Sequence, residues 1–180
     1  NQPDIQFNVM PLSADRPGEP LHRYSGFTAA AWQCHPASRG RSDIVSSDPS
    51  KDTRIQPNYL SESIDQQTLV EGIKILRDIY KQNSFKDLWD REIIPGNKYE
   101  TDEQILDAAK NMGGTVYHYA GTCRMGVDNA AVVDHQLRVR GVKNLRVVDA
   151  SIMPEITSAN INAPTLMIAE KAADIILNED

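Results

Sequence analysis

An apolar helix near the end of the chain sets the strongest limit on how this sequence can fold. In residues 165–177 apolar side chains recur at helical spacing and cover most of the circumference, so the helix is predicted to be buried. Pro164 suits the first turn, where its missing N–H costs no hydrogen bond, and Asn162 is a good capping residue just ahead of it. The free N–H groups of that turn would stabilise an electron-rich or anionic group. On these residues alone, Asn160 and Asn162 are equally consistent with a capping role and nothing more.

A single histidine is the best candidate for a general base. The segment TVYHYAG, residues 115–121, is rich in β-branched and aromatic residues and ends at a glycine, so we predict a strand that carries His118 to its far end. An imidazole can accept a proton close to neutral pH, which is what a general base requires. Taken alone, the pattern favours a structural histidine held by backbone partners.

The remaining pattern predicts an α+β fold with a mostly antiparallel sheet flanked by helices. Short strands are separated by long helical stretches, without the regular alternation of a βαβ protein. The predicted strands are residues 4–12, 27–34, 42–46, 54–59, 137–139 and 145–148. The predicted helices, besides the one described above, are residues 63–82, 85–92 and 101–111, and both Ser63 with Gln66 and the run from Thr101 to Gln104 have the composition of a helix start.

Composition and spacing exclude several function classes. The net charge of −6 disfavours nucleic acid or an anionic membrane as partner, and no apolar run approaches the ~20 residues of a transmembrane span. Cys34 and Cys123 give neither a disulfide framework nor a zinc motif, and the four histidines have no ligand spacing, so no metal is expected. There is no GxSxG turn of a serine hydrolase. A cytoplasmic location is the favoured expectation.

Several motifs together resemble a known family. They are HYAGTCRMG at 118–126, AVVD at 131–134, LRVRGVKNLRVVDASIMP at 137–154 and NINAPTLMIAEKAAD at 160–174. In this order and spacing they resemble the C-terminal half of the glucose-methanol-choline (GMC) flavoprotein oxidoreductases, and they are most similar to the choline-dehydrogenase-like bacterial alcohol dehydrogenases. PDIQ at 3–6, PASRGRSDIVSSDP at 36–49 and IQPNYL at 55–60 are also similar, so the resemblance covers nearly the whole chain.

The resemblance implies a division of the chain between two domains. Residues 1–135 would form the substrate-binding domain with the catalytic histidine loop, and residues 136–180 would return to complete the FAD-binding domain. The dinucleotide fingerprint GxGxxG, which in the family lies near the N-terminus of the full polypeptide, does not occur here. We therefore expect that the N-terminal FAD-binding half is absent from this chain and that the isolated chain binds no FAD.

The resemblance also implies roles for particular residues in the oxidation of an alcohol to an aldehyde or ketone. His118 would take the hydroxyl proton and Asn162 would hold the alcohol oxygen while hydride passes to the flavin of FAD. The residues that would approach the cofactor are Asp149, Ala150, Asn160, Ala163 and Pro164. Two alternatives remain open: Asp149 as a simple turn former, and the whole chain as a non-catalytic binding or structural domain derived from the same fold.

Overall fold

A computed structural model describes residues 2–16, 18–158 and 160–178. The strands are β1 (Ile5–Met10), β2 (Thr28–Gln33), β3 (Arg41–Asp43) and β4 (Arg54–Gln56), and the α-helices are α1 (Ser63–Tyr80), α2 (Asp102–Met112) and α3 (Asn162–Leu177). Both ladders are antiparallel, which confirms the predicted fold class. The chain forms two compact units, one of Asn1–Ser38 with Leu60–Gly114 and the other of Arg39–Tyr59 with Thr115–Asp180.

The first unit is a hairpin covered by a helix. β1 and β2 pair with Ile5 opposite Gln33 and Met10 opposite Thr28, so both strands form where they were predicted but with shorter ends. Helix α1 packs on this hairpin, as its amphipathic pattern predicted. At Gly72 a Cβ would lie 2.5 Å from Ile5 Cδ1, so the absence of a side chain there permits the close approach.

The two helix starts in this unit use different devices. Thr101 and Gln104 form a capping box at α2, in which the Thr101 hydroxyl accepts from the Gln104 N–H and the Gln104 side chain accepts from the Thr101 N–H. This confirms the predicted start. The capping box predicted for Ser63 and Gln66 is wrong, because the Gln66 side-chain amide instead donates to the Leu60 carbonyl at 2.8 Å. At α1 the N-cap residue makes no side-chain cap bond.

The second unit has a small core beneath α3. Its buried residues are Val133, Leu137, Ile152 and Ala172. Within the described ranges, residues 137–139 and 145–148 form only single bridges, Val133 with Val139 and Arg138 with Arg146, and not the predicted strands. Leu137 and Asn144 have positive φ angles of 64° and 59°, which interrupt the extended backbone that a longer ladder needs.

Two other predicted elements also differ in the structure. The segment 115–121 forms no ladder with any described residue, because Tyr117 adopts a φ of 61° and breaks the extended conformation directly before His118. The predicted helix at 85–92 is only a 3₁₀ turn at Asn83–Phe85 followed by further turns.

Helix α3 forms where it was predicted, but it is largely exposed. Ala172 is its one buried residue, whereas Leu166, Met167 and Leu177 are 61%, 60% and 82% exposed. The prediction of a buried helix is therefore wrong for this chain, because its small core covers only one line of the helix. None of the helices in the described ranges combines the length and apolarity needed to cross a bilayer.

The start of α3 differs from the prediction in the residue that forms its N-cap. Pro164 lies in the first turn, as predicted, but Asn162 is already helical and Ile161 occupies the N-cap without a side-chain cap bond. The Ile161 carbonyl accepts from both the Thr165 N–H and the Thr165 hydroxyl, so the helix begins at Asn162, the residue that was predicted to be its cap. The side chain of Asn162 is thus not used as the cap.

Candidate active site

The second unit brings His118 against the segment that enters α3. His118 Nε2 lies 2.6 Å from the side-chain amide nitrogen of Asn160, 42 positions later in the sequence. The imidazole is half-buried and the asparagine is exposed. If the amide donates, Nε2 is the unprotonated nitrogen of a neutral ring, which is the state that a proton acceptor requires.

Backbone hydrogen bonds attach the segment after His118 to a second predicted site element. The Cys123 N–H donates to the Ser151 carbonyl at 3.0 Å, and the Met125 N–H donates to the Ile152 carbonyl at 2.7 Å. Ser151 and Ile152 belong to the 3₁₀ turn Ala150–Ile152, which directly follows Asp149. The histidine segment and the Asp149 turn are therefore neighbours, although no regular strand joins them.

Asp149 organises that turn. Its Oδ1 accepts the Ser151 N–H at 2.7 Å, which is the turn-forming role that the sequence left open. The residue is exposed, so the second carboxylate oxygen remains accessible to a further donor. Its contact with a cofactor stays a prediction.

The remaining predicted site residues lie around the start of α3 and in the Asp149 turn. Asn162 is exposed, and no hydrogen bond recorded between described residues joins it to His118. Ala163 is exposed, while Ala150 and Pro164 are half-buried. The structure thus brings Asn160, rather than Asn162, into direct contact with the imidazole, and the roles predicted for all four residues stay predictions.

A salt bridge closes the loop that follows the histidine. The Arg124 guanidinium donates to both carboxylate oxygens of Asp128, at 2.9 and 2.6 Å. This bidentate pair holds the pKa of Asp128 well below its usual range and raises the pKa of Arg124. Both groups are committed to each other, so we assign them to the loop's conformation rather than to chemistry.

Two residues near the site were not singled out from the sequence. The Tyr59 hydroxyl donates to Thr115 Oγ1 at 3.1 Å, and the Tyr117 N–H donates to the same oxygen at 3.0 Å. Tyr59 lies in the IQPNYL segment, 56 positions before Thr115, and no local pattern signals such a contact.

Within the described ranges, no group of three or more His, Cys, Asp or Glu side chains is arranged to hold a metal ion.

Comparison with known proteins identifies the relatives of this chain. A family model described as GMC oxidoreductase matches residues 36–169. An alcohol dehydrogenase [acceptor] of Pseudomonas putida is 44% identical over 99% of this chain and 32% of its own length. An oxygen-dependent choline dehydrogenase of Paraburkholderia xenovorans is 41% identical over 97% of this chain and 31% of its own length.

Solved structures agree with these relatives. The pyridoxine 4-oxidase from Mesorbium loti superposes on all of this chain with a TM-score of 0.89 at 32% identity, over 35% of its own length. A formate oxidase from Aspergillus oryzae matches 88% of this chain with a TM-score of 0.75 at 28% identity, over 28% of its own length. The chain spans about a third of the length of the curated relatives it matches. Both the family model and the extent of these similarities confirm the resemblance found in the motifs, and the chain belongs to the GMC oxidoreductase family.

Proposed function

We propose that this chain supplies the substrate-facing and catalytic part of an FAD-dependent oxidoreductase that oxidises an alcohol to an aldehyde or ketone. The observation that carries the proposal is the 2.6 Å contact between His118 Nε2 and Asn160 at the entry to α3. This contact supports the proposal because the imidazole lies beside a segment with two asparagines, and both belong to the motifs that resemble the family. The names of the alcohol and choline dehydrogenase relatives support the same reaction class.

His118 is the general base in this proposal. Hydride leaves an alcohol carbon more readily as the hydroxyl loses its proton, so a base must meet the alcohol oxygen. The half-buried imidazole has Nε2 directed at the polar segment 160–162, where that oxygen would bind. Asn160 holds the ring in one orientation until the alcohol binds. The alcohol hydroxyl then replaces the Asn160 amide as the donor to the single lone pair of Nε2, and the exposed amide of Asn162 holds the alcohol oxygen in line.

The residues around α3 and the Asp149 turn fit FAD. FAD, when bound, supplies the group that accepts the hydride. The exposed Asp149 carboxylate has an oxygen accessible to a cofactor hydroxyl. The N-cap residue of α3, Ile161, makes no side-chain cap bond, so N–H groups of the first turn can face a negatively charged group. The residues proposed to hold the cofactor are Asp149, Ala150, Asn160, Ala163 and Pro164.

The proposal includes a flavin-binding region that acts together with this chain. The exposed apolar side chains of Leu166, Met167 and Leu177 form one face that such a region would cover. In this arrangement residues 136–180 complete the FAD-binding domain, and residues 1–135 contribute the substrate-binding domain. The other partner is a small alcohol, and a choline-like alcohol is the first candidate because of the choline dehydrogenase relatives.

Anaerobic flavin reduction tests the proposal. The full flavoprotein containing this chain should lose its flavin absorbance when mixed with a suitable alcohol from a panel that includes choline. His118→Ala should slow that reduction by roughly 10² or more, as expected when a general base is lost. His135→Ala is the matched control, since His135 is an exposed histidine in the same unit.

Three outcomes would each contradict a different part of the proposal. Unchanged reduction in His118→Ala would remove His118 from the role of base. Failure of every alcohol to reduce a bound flavin would favour the non-catalytic alternative. Tight binding of FAD by the isolated chain would show that no further region is needed to hold the cofactor.

A further inference from the structure

The hydroxyl of Thr115 accepts two hydrogen bonds beside the backbone that leads to His118. Its oxygen accepts the Tyr59 O–H at 3.1 Å and the Tyr117 N–H at 3.0 Å. A threonine hydroxyl oxygen has two lone pairs, and both directions are taken by these donors. The side chain of Thr115 is therefore held in place from both sides.

The bond to Tyr117 matters because of that residue's conformation. Tyr117 has a φ of 61°, in the left-handed region that residues with a Cβ rarely adopt. The bond from its N–H to the threonine two residues earlier is a local side-chain turn that stabilises such a backbone. Tyr117 directly precedes His118, so its φ decides the direction in which the imidazole leaves the chain.

The Tyr59 hydroxyl is the donor in its contact with Thr115. Partial burial raises the pKa of Tyr59, so its hydroxyl stays protonated and remains a donor.

We propose that Tyr59 is a positioning residue, which holds His118 in its orientation through Thr115 and the backbone of Tyr117. This inference rests on the proposed function of His118 as the base. Tyr59 itself touches neither alcohol nor cofactor in this proposal. Replacement of Tyr59 is expected to slow the proton-coupled step and to leave the fold intact.

The test is rapid anaerobic flavin reduction by saturating alcohol in the full flavoprotein. Tyr59→Phe removes one oxygen and should lower the limiting rate about 3- to 10-fold, the range expected for one neutral hydrogen bond lost from the positioning of a base. The alcohol concentration giving half the limiting rate should change less than the rate itself. The pH profile of the limiting rate should shift, because the environment of the imidazole changes.

Matched variants separate positioning from a general effect of the mutation. Tyr24→Phe removes a phenol hydroxyl that contacts His22 at 2.8 Å in the first unit, and it should leave the rate unchanged. Thr115→Val should slow reduction at least as much as Tyr59→Phe, because it also removes the acceptor of the Tyr117 N–H, whereas Thr115→Ser, which keeps the hydroxyl, should retain the rate. The double variant of Tyr59→Phe with Thr115→Val should be no slower than the slower single variant, since both remove the same connection.

The outcomes distinguish this inference from the proposed function. If His118→Ala slows reduction but Tyr59→Phe and Thr115→Val do not, the positioning role is overturned and the base assignment remains. Multiplicative losses in the double variant, or an equal loss in Thr115→Ser and Thr115→Val, would also overturn it. If His118→Ala has no effect, the base assignment fails and the positioning role fails with it.

Discussion

Replacement of Asp65 should destabilise the first unit far more than its position in a helix suggests. Asp65 lies in the first turn of α1 and is only 2% exposed. Its carboxylate accepts the Ala37 N–H at 2.8 Å, the Ser38 N–H at 2.7 Å and the Ser38 hydroxyl. The Ser38 hydroxyl oxygen in turn accepts the Glu62 N–H at 3.2 Å, so one buried carboxylate joins the chain after β2 to the start of α1.

The size of the effect follows from these bonds. Hydrogen bonds to a charged group are each worth about 1.5–3 kcal/mol, so the loss of two or three would cost roughly 3–9 kcal/mol. Ala37 is exposed and Ser38 is half-buried, so water can replace part of what is lost. We therefore expect Asp65→Ala to lower the free energy of unfolding by about 3 kcal/mol, and the midpoint of thermal unfolding by roughly 6–12 °C.

Urea unfolding of the chain, followed by circular dichroism, would measure this difference. Asp65→Asn keeps the shape but places an amide N–H₂ where a donor already points, so it should also be clearly destabilising. Asp102→Asn is the matched control, because Asp102 is an exposed carboxylate at the start of α2 that pairs with Lys74 at 2.6 Å. Its loss should cost under about 1 kcal/mol. A cost for Asp65→Asn no larger than that of the control would refute the reasoning.

Three smaller perturbations give further checks. Thr101→Ala removes the acceptor of the α2 capping box and should cost about 1 kcal/mol in urea unfolding. Gly72→Ala should lower stability by about 1 kcal/mol, since overpacking outweighs the helix preference of alanine; Gly114→Ala, with nothing within 4 Å of a Cβ, is the control. Arg124 lowers the pKa of Asp128 below its ordinary value of 3.8. The ionised carboxylate therefore stabilises the fold at pH values above 3.8, and this stabilisation is lost as the pH falls through the lowered pKa. The difference in melting temperature between wild type and Asp128→Asn should therefore shrink below pH 3.8, and a difference independent of pH would argue against the pair.

The elements that could be predicted from the sequence depend on residues close together in the chain. The capping box of Thr101 and Gln104 spans three positions, and the strands β1 and β2 follow from local alternation of apolar residues. The partners of Asp65 lie 27 and 28 positions earlier, and nothing near Asp65 in the sequence distinguishes it from an exposed acid. The same holds for Tyr59 and Thr115, because a single long-range hydrogen bond leaves no periodic pattern.

Some features of the candidate site could likewise be predicted from the sequence, and others could not. His118 could be chosen from the sequence because its segment and its motif both single it out. The strand predicted for that segment does not form, because Tyr117 has a left-handed φ. A left-handed φ at a tyrosine has no propensity signal. Here the Tyr117 N–H donates to Thr115, whose hydroxyl is in turn held by the distant Tyr59. The contact with Asn160 likewise depends on where the chain enters α3, and its N-cap is Ile161, one residue earlier than the predicted cap Asn162.

The exposure of α3 connects these observations with the proposed function. A helix that is apolar around most of its circumference is stable in water only where other surfaces cover it, yet the core of this unit covers little more than Ala172. The apolar pattern of α3 therefore indicates that this helix packs against more surface than the described residues of its unit provide. In the proposed arrangement the flavin-binding region supplies that surface, and it would meet the helix beside Asn160 and His118. The same contact would then bury α3 and bring the hydride acceptor to the base, so cofactor binding and helix burial should occur together.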